Sequence, residues 1–523
     1  MHRFPCPPPS LPVLWMRRTL LILFATLFCL SAQPGVARTV ETSPESLIGP
    51  YLDQAVARVS DFELENGLQF LVFERHQAPV ISFITYVDVG GANEAEGKTG
   101  TAHFLEHLAF KGTSRLGTRD YEAEKKVLQQ LEQVFEQLLQ ARSQGREEDV
   151  QRYQQQVQDL RQQASQYVVQ NEFGQIVEQA GGVGLNAFTS MDATVYSYNF
   201  PSNKLELWMS LESERFLDPV FREFYEEREV ILEERRARVD NSPIGQMIEA
   251  MQATAFQVHP YRRPVIGYPE DLTTLTPSDV RTFFDTYYIP TRMIMAIVGD
   301  VNPQEVQRLA QVYFGRYTVQ SAPPPLEVQE PPQQQPREVE RQLQTQPWYL
   351  EAYHAPAITD PDYMVHEILA GILTSGRTSR LYQSLVQTQL ALTVEGFSGF
   401  PGDTYPNLLL FYALTAPGHE LQEVETVLHQ EIERLQKEPV TVAELDRVKT
   451  QIQVSTLQSL ASNQGLAQSL ATYAAKTGNW RNLFLQLDQL AQITPAEVQR
   501  VAQETLQPQN RTIGRLLTQE ETP

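Results

Sequence analysis

The sequence predicts an α+β fold, with helices layered on sheets in the α/β manner, in two domains of the same kind and with a helical hairpin inserted into the first. Strand-like runs and helical segments follow one another along the 523 residues. The pattern of residues 272–298 recurs from residue 490 onward, so the two halves are expected to be built alike. Between about residues 121 and 170 the composition changes sharply to Gln, Glu and Arg, which marks the insertion.

Strand-like runs are concentrated in the first half. Residues 62–74 surround an Asn-Gly turn, and residues 79–89 are rich in β-branched and aromatic side chains. Residues 185–200 form a third run, rich in Thr, Val and Tyr, and residues 293–298 form a fourth that is apolar throughout. These runs are predicted to supply the strands of the first domain.

The internal repeat depends on two matching helix starts. Thr276-Pro277 and Thr494-Pro495 each place a capping threonine before a proline at the first helical position. In both places the predicted helix is followed by an apolar strand. Each half is therefore expected to be the same unit of strands and helices.

The inserted segment has apolar residues at spacings of three and four, in two runs divided near Gly145. This spacing predicts a helical hairpin of coiled-coil character. The sequence leaves open whether the hairpin is a solvated spacer or a binding arm. The apolar positions are Val127, Leu131, Val134, Leu138, Val150, Tyr153, Val157 and Leu160.

Composition divides the chain into four parts. Residues 1–37 are predicted to be a signal peptide, and residues 38–320 the N-terminal domain, with the insertion at 118–172. Residues 321–337 are rich in Pro and Gln, which is a linker composition. Residues 338–523 are predicted to form the C-terminal domain.

The N-terminus has the features of a targeting segment. Arg17 and Arg18 precede an apolar run at 20–30, which is too short to span a bilayer comfortably. Small residues at 35–37 provide a cleavage site. We expect export to the periplasm or an equivalent extracytoplasmic compartment, with no stable membrane span after cleavage; an uncleaved anchor is the alternative.

Charge and cysteine content exclude several kinds of site. The formal net charge of −22 argues against a general nucleic-acid binder and favours encounter with cationic segments. Cys6 and Cys29 both lie in the predicted signal peptide. The mature chain would therefore have no disulfide, no thiolate metal site and no cysteine nucleophile.

One short segment has the pattern of a metal site. His103 and His107 are four residues apart, so on a helix they lie one turn from each other on one face, and Glu106 falls on that face as well. Two neutral imidazoles at this spacing can hold zinc, and a neighbouring carboxylate can act on metal-bound water. An ordinary buried helix is the alternative. The H-x-x-E-H pattern favours zinc and still lacks a third protein ligand.

Candidates for the third ligand are carboxylates on another predicted helix. Glu227 and Glu234 are seven residues apart, which places them two turns apart on one face. A solvated acidic helix face explains the same pattern. From these residues alone the choice stays open.

Four ordered segments resemble one family of enzymes. Residues 103–113 resemble the zinc helix of the pitrilysin family, the inverted-motif zinc peptidases that include insulysin and the mitochondrial processing peptidase. Residues 181–190, 227–234 and 259–267 match further segments of that family, and the whole resembles a bacterial processing-peptidase-like member. The resemblance implies two homologous domains, each with a mostly antiparallel sheet packed by helices. The first would be a metallopeptidase domain and the second would have no metal motif.

The resemblance also implies roles for individual residues. It implies one Zn²⁺ per chain, held by His103, His107 and Glu234, with Glu227 supporting the site from behind the ligands. Glu106 would take a proton from water and pass it to the leaving amine. The family usually has fewer residues between the zinc helix and these glutamates, and the predicted hairpin accounts for the excess.

The implied activity is that of a zinc-dependent metalloendopeptidase acting on unfolded or short peptides. The strand beginning at residue 185 would pair with an extended peptide by strand addition. Asn186 at its start is a candidate substrate contact, with ordinary turn structure as the alternative.

The sequence departs from the family in the second domain. Active members have an arginine and a tyrosine there that bind the substrate carbonyl, and these positions fall on Val386 and Thr393. Neither residue can donate comparable hydrogen bonds. We therefore predict a heterodimer with a homologous, metal-free subunit that carries the Arg/Tyr pair. A catalytically weak peptide-binding or scaffold subunit, with the hairpin as its docking arm, is the alternative.

Overall fold

The computed structural model of the chain describes residues 56–519. The predicted signal peptide at 1–37 lies outside the described residues, and the expected export stays a prediction. Within the described part of the chain, no helix combines the length and apolar character that a bilayer span requires.

The first half is built on a six-stranded sheet. Its strands are β1 (Val59–Glu63), β2 (Gln69–Glu74), β3 (Val80–Val87), β4 (Val183–Thr189), β5 (Thr194–Pro201) and β6 (Met293–Gly299). Their order across the sheet is β1-β2-β6-β3-β5-β4. Only the β2 and β6 pair runs parallel, so a mostly antiparallel sheet is confirmed. β4 lies at an edge and leaves one side without a partner strand of this sheet.

Helices pack on this sheet and form the inserted hairpin. They are α1 (Thr101–Leu108), α2 (Tyr121–Ser143), α3 (Glu147–Ser165), α4 (Glu172–Gln179), α5 (Leu205–Leu217), α6 (Phe224–Arg235), α7 (Pro243–Ala255), α8 (Pro269–Thr274), α9 (Pro277–Tyr287) and α10 (Pro303–Tyr313). The predicted capping box forms at the start of α9, where Thr276 and Asp279 bond to each other's backbone N–H groups.

The second half repeats the plan with five strands. Its elements are β7 (Arg337–Leu343), β8 (Trp348–Ala355), α11 (Tyr363–Thr374), β9 (Ala391–Phe400), β10 (Asn407–Thr415), α12 (Leu421–Lys437), α13 (Val442–Ala461), α14 (Asn463–Thr477), α15 (Asn482–Gln492), α16 (Pro495–Thr505) and β11 (Arg511–Thr518). The strand order is β7-β11-β8-β10-β9, and only β7 and β11 run parallel. The matching cap at Thr494 forms at the start of α16. Two similar α+β halves are therefore confirmed, whereas the exact domain boundaries stay a prediction.

The predicted strand at 185–200 is in fact a hairpin of two strands. β4 ends at Thr189 and β5 begins at Thr194, opposite it in register. The hydroxyl of Ser190 accepts hydrogen bonds from the backbone N–H groups of Asp192 and Ala193 at 3.2 and 3.0 Å. This local turn breaks the run, because a serine side chain competes with the sheet for backbone donors.

The inserted hairpin consists of α2 and α3. Its base is closed by backbone hydrogen bonds, with Arg119 donating to Tyr167 at 2.8 Å and Val169 donating to Gly117 at 3.0 Å. The helical hairpin is thus confirmed. Phe135, absent from the predicted apolar positions, is buried and packs 4.9 Å from the ring of Tyr225 on α6. The hairpin is therefore docked on the domain body.

Two helices at equivalent places in the two halves each cover the sheet of the other half. α14 shares an apolar cluster with the first sheet, in which Leu466 and Leu470 are buried with Ile84. α7 lies against the second sheet, where a Cβ on Gly514 would be 2.5 Å from the terminal carbon of Met247. Each half therefore contributes one helix to the apolar core of the other half.

Candidate metal centre

The helix that carries the histidines begins at a tightly held turn. Gly100 precedes α1 with φ +85°, a left-handed conformation that glycine adopts without strain. The carboxylate of Glu94 accepts hydrogen bonds from the backbone N–H groups of Gly100 at 3.0 Å and Ala102 at 2.8 Å. These bonds satisfy donors that a helix start leaves free. Burial raises the pKa of Glu94 to about 8.

The structure brings together His103, His107 and Glu234. One ligand atom from each lies within 4.8 Å of the others, and no other such group of His, Cys, Asp or Glu occurs in residues 56–519. Glu234 Oε2 is 3.7 Å from His103 Nε2 and 3.6 Å from His107 Nε2. The other oxygen, Oε1, pairs with Arg238 at 2.8 Å. Arg238 thus orients the carboxylate so that Oε2 faces both imidazoles.

These three residues fit a zinc ion. Ligand atoms at about 2.0–2.1 Å from a tetrahedral zinc are about 3.4 Å apart, close to the separations found here. Burial, followed by electrostatic interaction with His107 and Arg238, lowers the pKa of His103 to about 3. Its imidazole is therefore neutral at physiological pH, as a metal ligand must be.

The second glutamate of α6 holds the far side of His107. Glu227 Oε2 lies 3.1 Å from His107 Nδ1, which leaves Nε2 for the metal. Lys111 Nζ contacts Glu227 Oε1 at 2.5 Å and Glu223 Oε2 at 3.0 Å. Burial alone would raise the pKa of Glu227, but the hydrogen bonds with His107 and Lys111 outweigh it and the pKa is lowered. This carboxylate therefore stays ionised and orients the ring.

Glu106 faces the edge strand of the sheet. Its Oε2 accepts a hydrogen bond of 2.7 Å from the hydroxyl of Thr189, the last residue of β4. Burial raises the pKa of Glu106, and the bond from Thr189 only partly offsets this. A carboxylate with a raised pKa next to a metal site is suited to accept and return a proton near neutral pH.

Two family models match the chain. The model described as Insulinase (Peptidase family M16) matches residues 70–134 and 158–268, and the model described as Peptidase M16 inactive domain matches residues 274–452. The zinc protease PqqE of Helicobacter pylori is 30% identical over 417 residues, covering 78% of this chain and 82% of that protein. The chain belongs to peptidase family M16. The predicted resemblance to the pitrilysin family is thereby confirmed.

Further M16 relatives share the whole plan of the molecule. A probable mitochondrial-processing peptidase subunit beta of Schizosaccharomyces pombe is 26% identical and covers 88% of this chain and 91% of its own length. The crystal structure of a protease from Helicobacter pylori matches with a TM-score of 0.74 and 27% identity, over 88% of this chain and 99% of that one. The first family model skips residues 135–157, which are the outer part of the hairpin.

Four residues of the site were not predicted from the sequence. Glu94 holds the helix start, Thr189 contacts Glu106, and Lys111 and Arg238 orient the two glutamates of α6. Arg238 lies four residues after Glu234, a spacing that could have suggested the pair. The others act across loops and strands, so no local pattern identifies them.

The remaining residues named from the resemblance are Asn186, Val386 and Thr393, and their roles stay predictions. Asn186 is exposed on β4 and lines a cavity beside Glu106 and His107. Val386 ends a π-helical turn and packs on the second core, and Thr393 lies on the edge strand β9. Neither side chain offers the donor that an arginine or tyrosine would provide.

Proposed function

We propose that this M16 protein is a zinc-dependent metalloendopeptidase with one Zn²⁺ per chain, held by His103, His107 and Glu234. The observation that carries the proposal is the convergence of these three side chains beside Glu106. The zinc proteases among its relatives support the choice of metal. A site with three protein ligands keeps a position open for water or substrate, as catalytic zinc sites do.

The residues around the site have separate chemical tasks. Zinc, when bound, supplies Lewis acidity for hydrolysis of the peptide bond. Glu106 accepts a proton from the attacking water and delivers it to the leaving amine. Thr189 holds Oε2 of Glu106, which keeps Oε1 free for this transfer. Glu227 and Lys111 keep His107 in one tautomer and orientation.

The edge strand β4 supports an extended substrate. Its last residue contacts Glu106, and its outer side has no partner strand within the described sheet. A peptide that adds to this edge brings its backbone beside the metal centre, with main-chain hydrogen bonds as the source of affinity. Unfolded or short peptides are the proposed substrates, because they can adopt an extended backbone whose N–H and C=O groups are free to pair with the edge of β4.

Replacement of the proposed base tests the mechanism. Glu106→Gln should keep zinc near one per chain while cleavage of an unstructured peptide falls by at least ~100-fold, because the amide cannot accept the proton. Zinc content and peptide cleavage are measured on the same preparation. Glu233→Gln is the matched control, since Glu233 is 67% exposed on the outside of α6. Unchanged cleavage in Glu106→Gln would disprove the assigned base.

We also propose that full activity needs a homologous, metal-free subunit. The resemblance to the family aligns the substrate-clamping pair with Val386 and Thr393, and the Schizosaccharomyces pombe relative is named as a probable beta subunit. Peptide cleavage by this chain is measured alone and with a co-purified homologue, with zinc quantified in each. Full activity of the chain alone would contradict the proposal. Zinc binding without cleavage in either sample would favour the catalytically weak scaffold subunit.

Export to the periplasm or an equivalent compartment is proposed from the N-terminal sequence alone. The support is the pair Arg17 and Arg18 before an apolar run and a small-residue cleavage site. N-terminal sequencing of the protein recovered from cell fractions tests it. A mature N-terminus near residue 38 in an extracytoplasmic fraction is the expected result.

A further inference from the structure

The turn that joins β4 to β5, residues 190–193, lies between the proposed catalytic base and the second half of the molecule. Asp192 in this turn is 5% exposed and contacts the second half directly. We infer that Asp192 is a positioning residue for the proposed reaction: it acts through Thr189 and fixes the carboxylate of Glu106. The inference rests on the proposed peptidase function, and it gives the second half, which holds none of the three proposed zinc ligands, a part in that function.

The carboxylate of Asp192 is bound mainly by the second half. Its Oδ2 accepts hydrogen bonds from the backbone N–H groups of Asp403 at 2.8 Å and Thr404 at 3.1 Å, in the loop between β9 and β10. Lys476 Nζ on α14 lies 3.3 Å from the same oxygen, and Oδ1 accepts a bond from the hydroxyl of Tyr261 in the first half. Burial alone would raise the pKa of Asp192, but Lys476 and these hydrogen bonds outweigh it and lower the pKa. Asp192 is therefore an ionised anchor that three groups of the second half hold in place.

Hydrogen bonds inside the turn connect Asp192 to Thr189. The hydroxyl of Ser190 accepts bonds from the backbone N–H groups of Asp192 and Ala193, and the N–H of Ser190 donates to the carbonyl of Ala193 at 2.8 Å. Thr189 is the next residue toward β4, and its hydroxyl donates the 2.7 Å bond to Oε2 of Glu106. Because the turn is closed at these three points, a displacement of Asp192 moves Thr189 and redirects the carboxylate that Thr189 holds.

The same turn is fixed to the segment that leads into α1. The backbone N–H groups of Gly91 and Ala92 donate to the carbonyl oxygens of Ser190 at 3.0 Å and Met191 at 2.9 Å. Two residues further along, Glu94 holds two N–H groups at the start of α1, the helix of the proposed base. The turn therefore fixes the base from two sides, at its carboxylate and through the start of its helix.

The proposed zinc ligands are held by other contacts. Phe104 on α1 stacks on Phe224 of α6 with 4.4 Å between the ring centroids, and Glu227 holds Nδ1 of His107 at 3.1 Å. Neither contact involves the turn. Loss of the Asp192 carboxylate should therefore disturb the base while zinc stays bound.

The test replaces Asp192 in the zinc-loaded protein, with its homologous subunit if that is required, and measures cleavage of an unstructured peptide. Asp192→Ala should lower kcat at least ~10-fold, leave KM within about threefold and keep the zinc content of the unaltered protein. Asp192→Asn keeps an acceptor for the two N–H groups of the loop, so its kcat should recover to within about threefold of the unaltered protein. Leu428→Ala opens a cavity in the core of the second half, and it should leave kcat unchanged at a temperature at which it is folded.

A double-mutant cycle tests whether Asp192 acts through Thr189. In a Thr189→Val background, Asp192→Ala should lower kcat by less than about threefold, because the bond that Asp192 positions is already gone. Tyr261→Phe removes one hydrogen bond to Asp192 and replaces Asp192→Ala if that variant does not fold. It should lower kcat about threefold, and this effect should also vanish in the Thr189→Val background. Independent effects of the two substitutions on kcat would overturn the inference.

The outcomes separate this inference from the proposed function. If Asp192→Ala cleaves the peptide as well as the unaltered protein, or loses activity only as Leu428→Ala does, the inference fails while the peptidase function stands. If the unaltered protein cleaves no peptide, the proposed function fails, and amide hydrogen exchange decides whether Asp192 positions this site. Exchange at the N–H groups of Gly91 and Ala92 should then be at least ~10-fold faster in Asp192→Ala than in Leu428→Ala. Equal exchange rates in the two variants would overturn the inference.

Discussion

At the candidate metal centre, two glutamates of one helix lie on opposite sides of the same imidazole, each facing a different ring nitrogen. Glu227 approaches His107 Nδ1 at 3.1 Å, and Glu234 approaches Nε2 at 3.6 Å. The two glutamates therefore have different roles, because only Glu234, on the Nε2 side, also lies close to His103. Glu227 is therefore placed to orient a ligand, and Glu234 is placed to be one.

Removal of the third ligand should abolish tight metal binding. Glu234→Gln exchanges an anionic oxygen ligand for a neutral amide, and we expect zinc affinity to fall by at least ~100-fold. Competition with a chromogenic chelator measures it. Glu233→Gln, one residue away on the exposed side of α6, should bind zinc as the unaltered protein does. Equal affinities of the two variants would contradict the assignment of Glu234.

At the scale of elements, the hairpin and the ligand helix form one packed unit. Phe135 on α2 lies against Tyr225, and the guanidinium of Arg228 is 4.8 Å from the ring of Phe135. Arg161 on α3 pairs with Glu226 at 2.7 Å. The sequence left open whether the hairpin is a solvated spacer or a binding arm. These contacts show that the hairpin packs on α6 and is not a freely solvated spacer. The hairpin supports the outside of α6, whose inner face carries Glu227 and Glu234.

The packing of Phe135 predicts a large loss of stability. Phe135→Ala removes a ring that is 1% exposed, and the free energy of unfolding should fall by about 3 kcal/mol. Val134→Ala, at a partly buried neighbouring position, should cost about 1 kcal/mol. Urea unfolding followed by fluorescence measures both. Equal losses would mean that the hairpin does not dock through Phe135.

The start of α13 predicts a pH dependence of stability. Burial alone would raise the pKa of Glu444, but hydrogen bonds from Arg380 and from Thr441 outweigh it and lower the pKa to about 2. Because the folded pKa lies below the unfolded value, the stabilisation is present above about pH 4.5 and is lost as pH falls toward 2. The side chain is partly exposed, so the contribution is discounted for screening.

When the pH is lowered from 5 to 3, the free energy of unfolding of the unaltered protein should therefore fall by about 1 kcal/mol more than that of the Glu444→Gln variant. Urea unfolding at the two pH values measures the difference. Glu497→Gln is the matched control, because Glu497 occupies the same capping-box position at Thr494 without a buried arginine partner. If Glu444→Gln and the unaltered protein lose stability equally, the ion pair with Arg380 is not responsible.

At the scale of the whole molecule, the two halves are joined by apolar packing and by a buried polar cluster. Tyr261 donates to Asp192, and the backbone N–H of Asp403 donates to Asp192 Oδ2 at 2.8 Å. Lys476 on α14 lies 3.3 Å from Asp192 Oδ2 and also contacts Asp403. Asp192 follows Thr189 by three residues, so this junction anchors the turn after the strand that contacts Glu106.

Loss of the cation in this junction should weaken the whole protein. Lys476→Met leaves the buried carboxylate of Asp192 and the partly buried carboxylate of Asp403 without their cation, and the free energy of unfolding should fall by about 3 kcal/mol. Lys437→Met removes a lysine that is 72% exposed and should change stability by less than about 0.5 kcal/mol. Denaturant unfolding compares them. A loss below about 1 kcal/mol for Lys476→Met would show that the junction does not stabilise the two halves.

Much of this molecule was predictable because its signals are local. The spacing of His103, Glu106 and His107 places them on one helix face, and the caps at Thr276 and Thr494 reveal the repeat. Glu234 could be proposed only through the family resemblance, because its partners are more than a hundred residues away in the chain. The sequence predicted one strand through Ser190 and missed the turn there. The turn depends on hydrogen bonds from two backbone N–H groups to the Ser190 hydroxyl, which end the strand.

The sequence by itself determined the two-domain plan, the inserted hairpin and the two histidines, because helix periodicity, capping and composition act over a few residues. Only the tertiary structure decided which oxygen of Glu234 faces the imidazoles and which side of the hairpin packs on α6. It also decided that α7 covers the sheet of the second half and α14 covers the sheet of the first. These depend on contacts between residues far apart in the chain. Their energies come from burial and pairing in three dimensions, which no local pattern records.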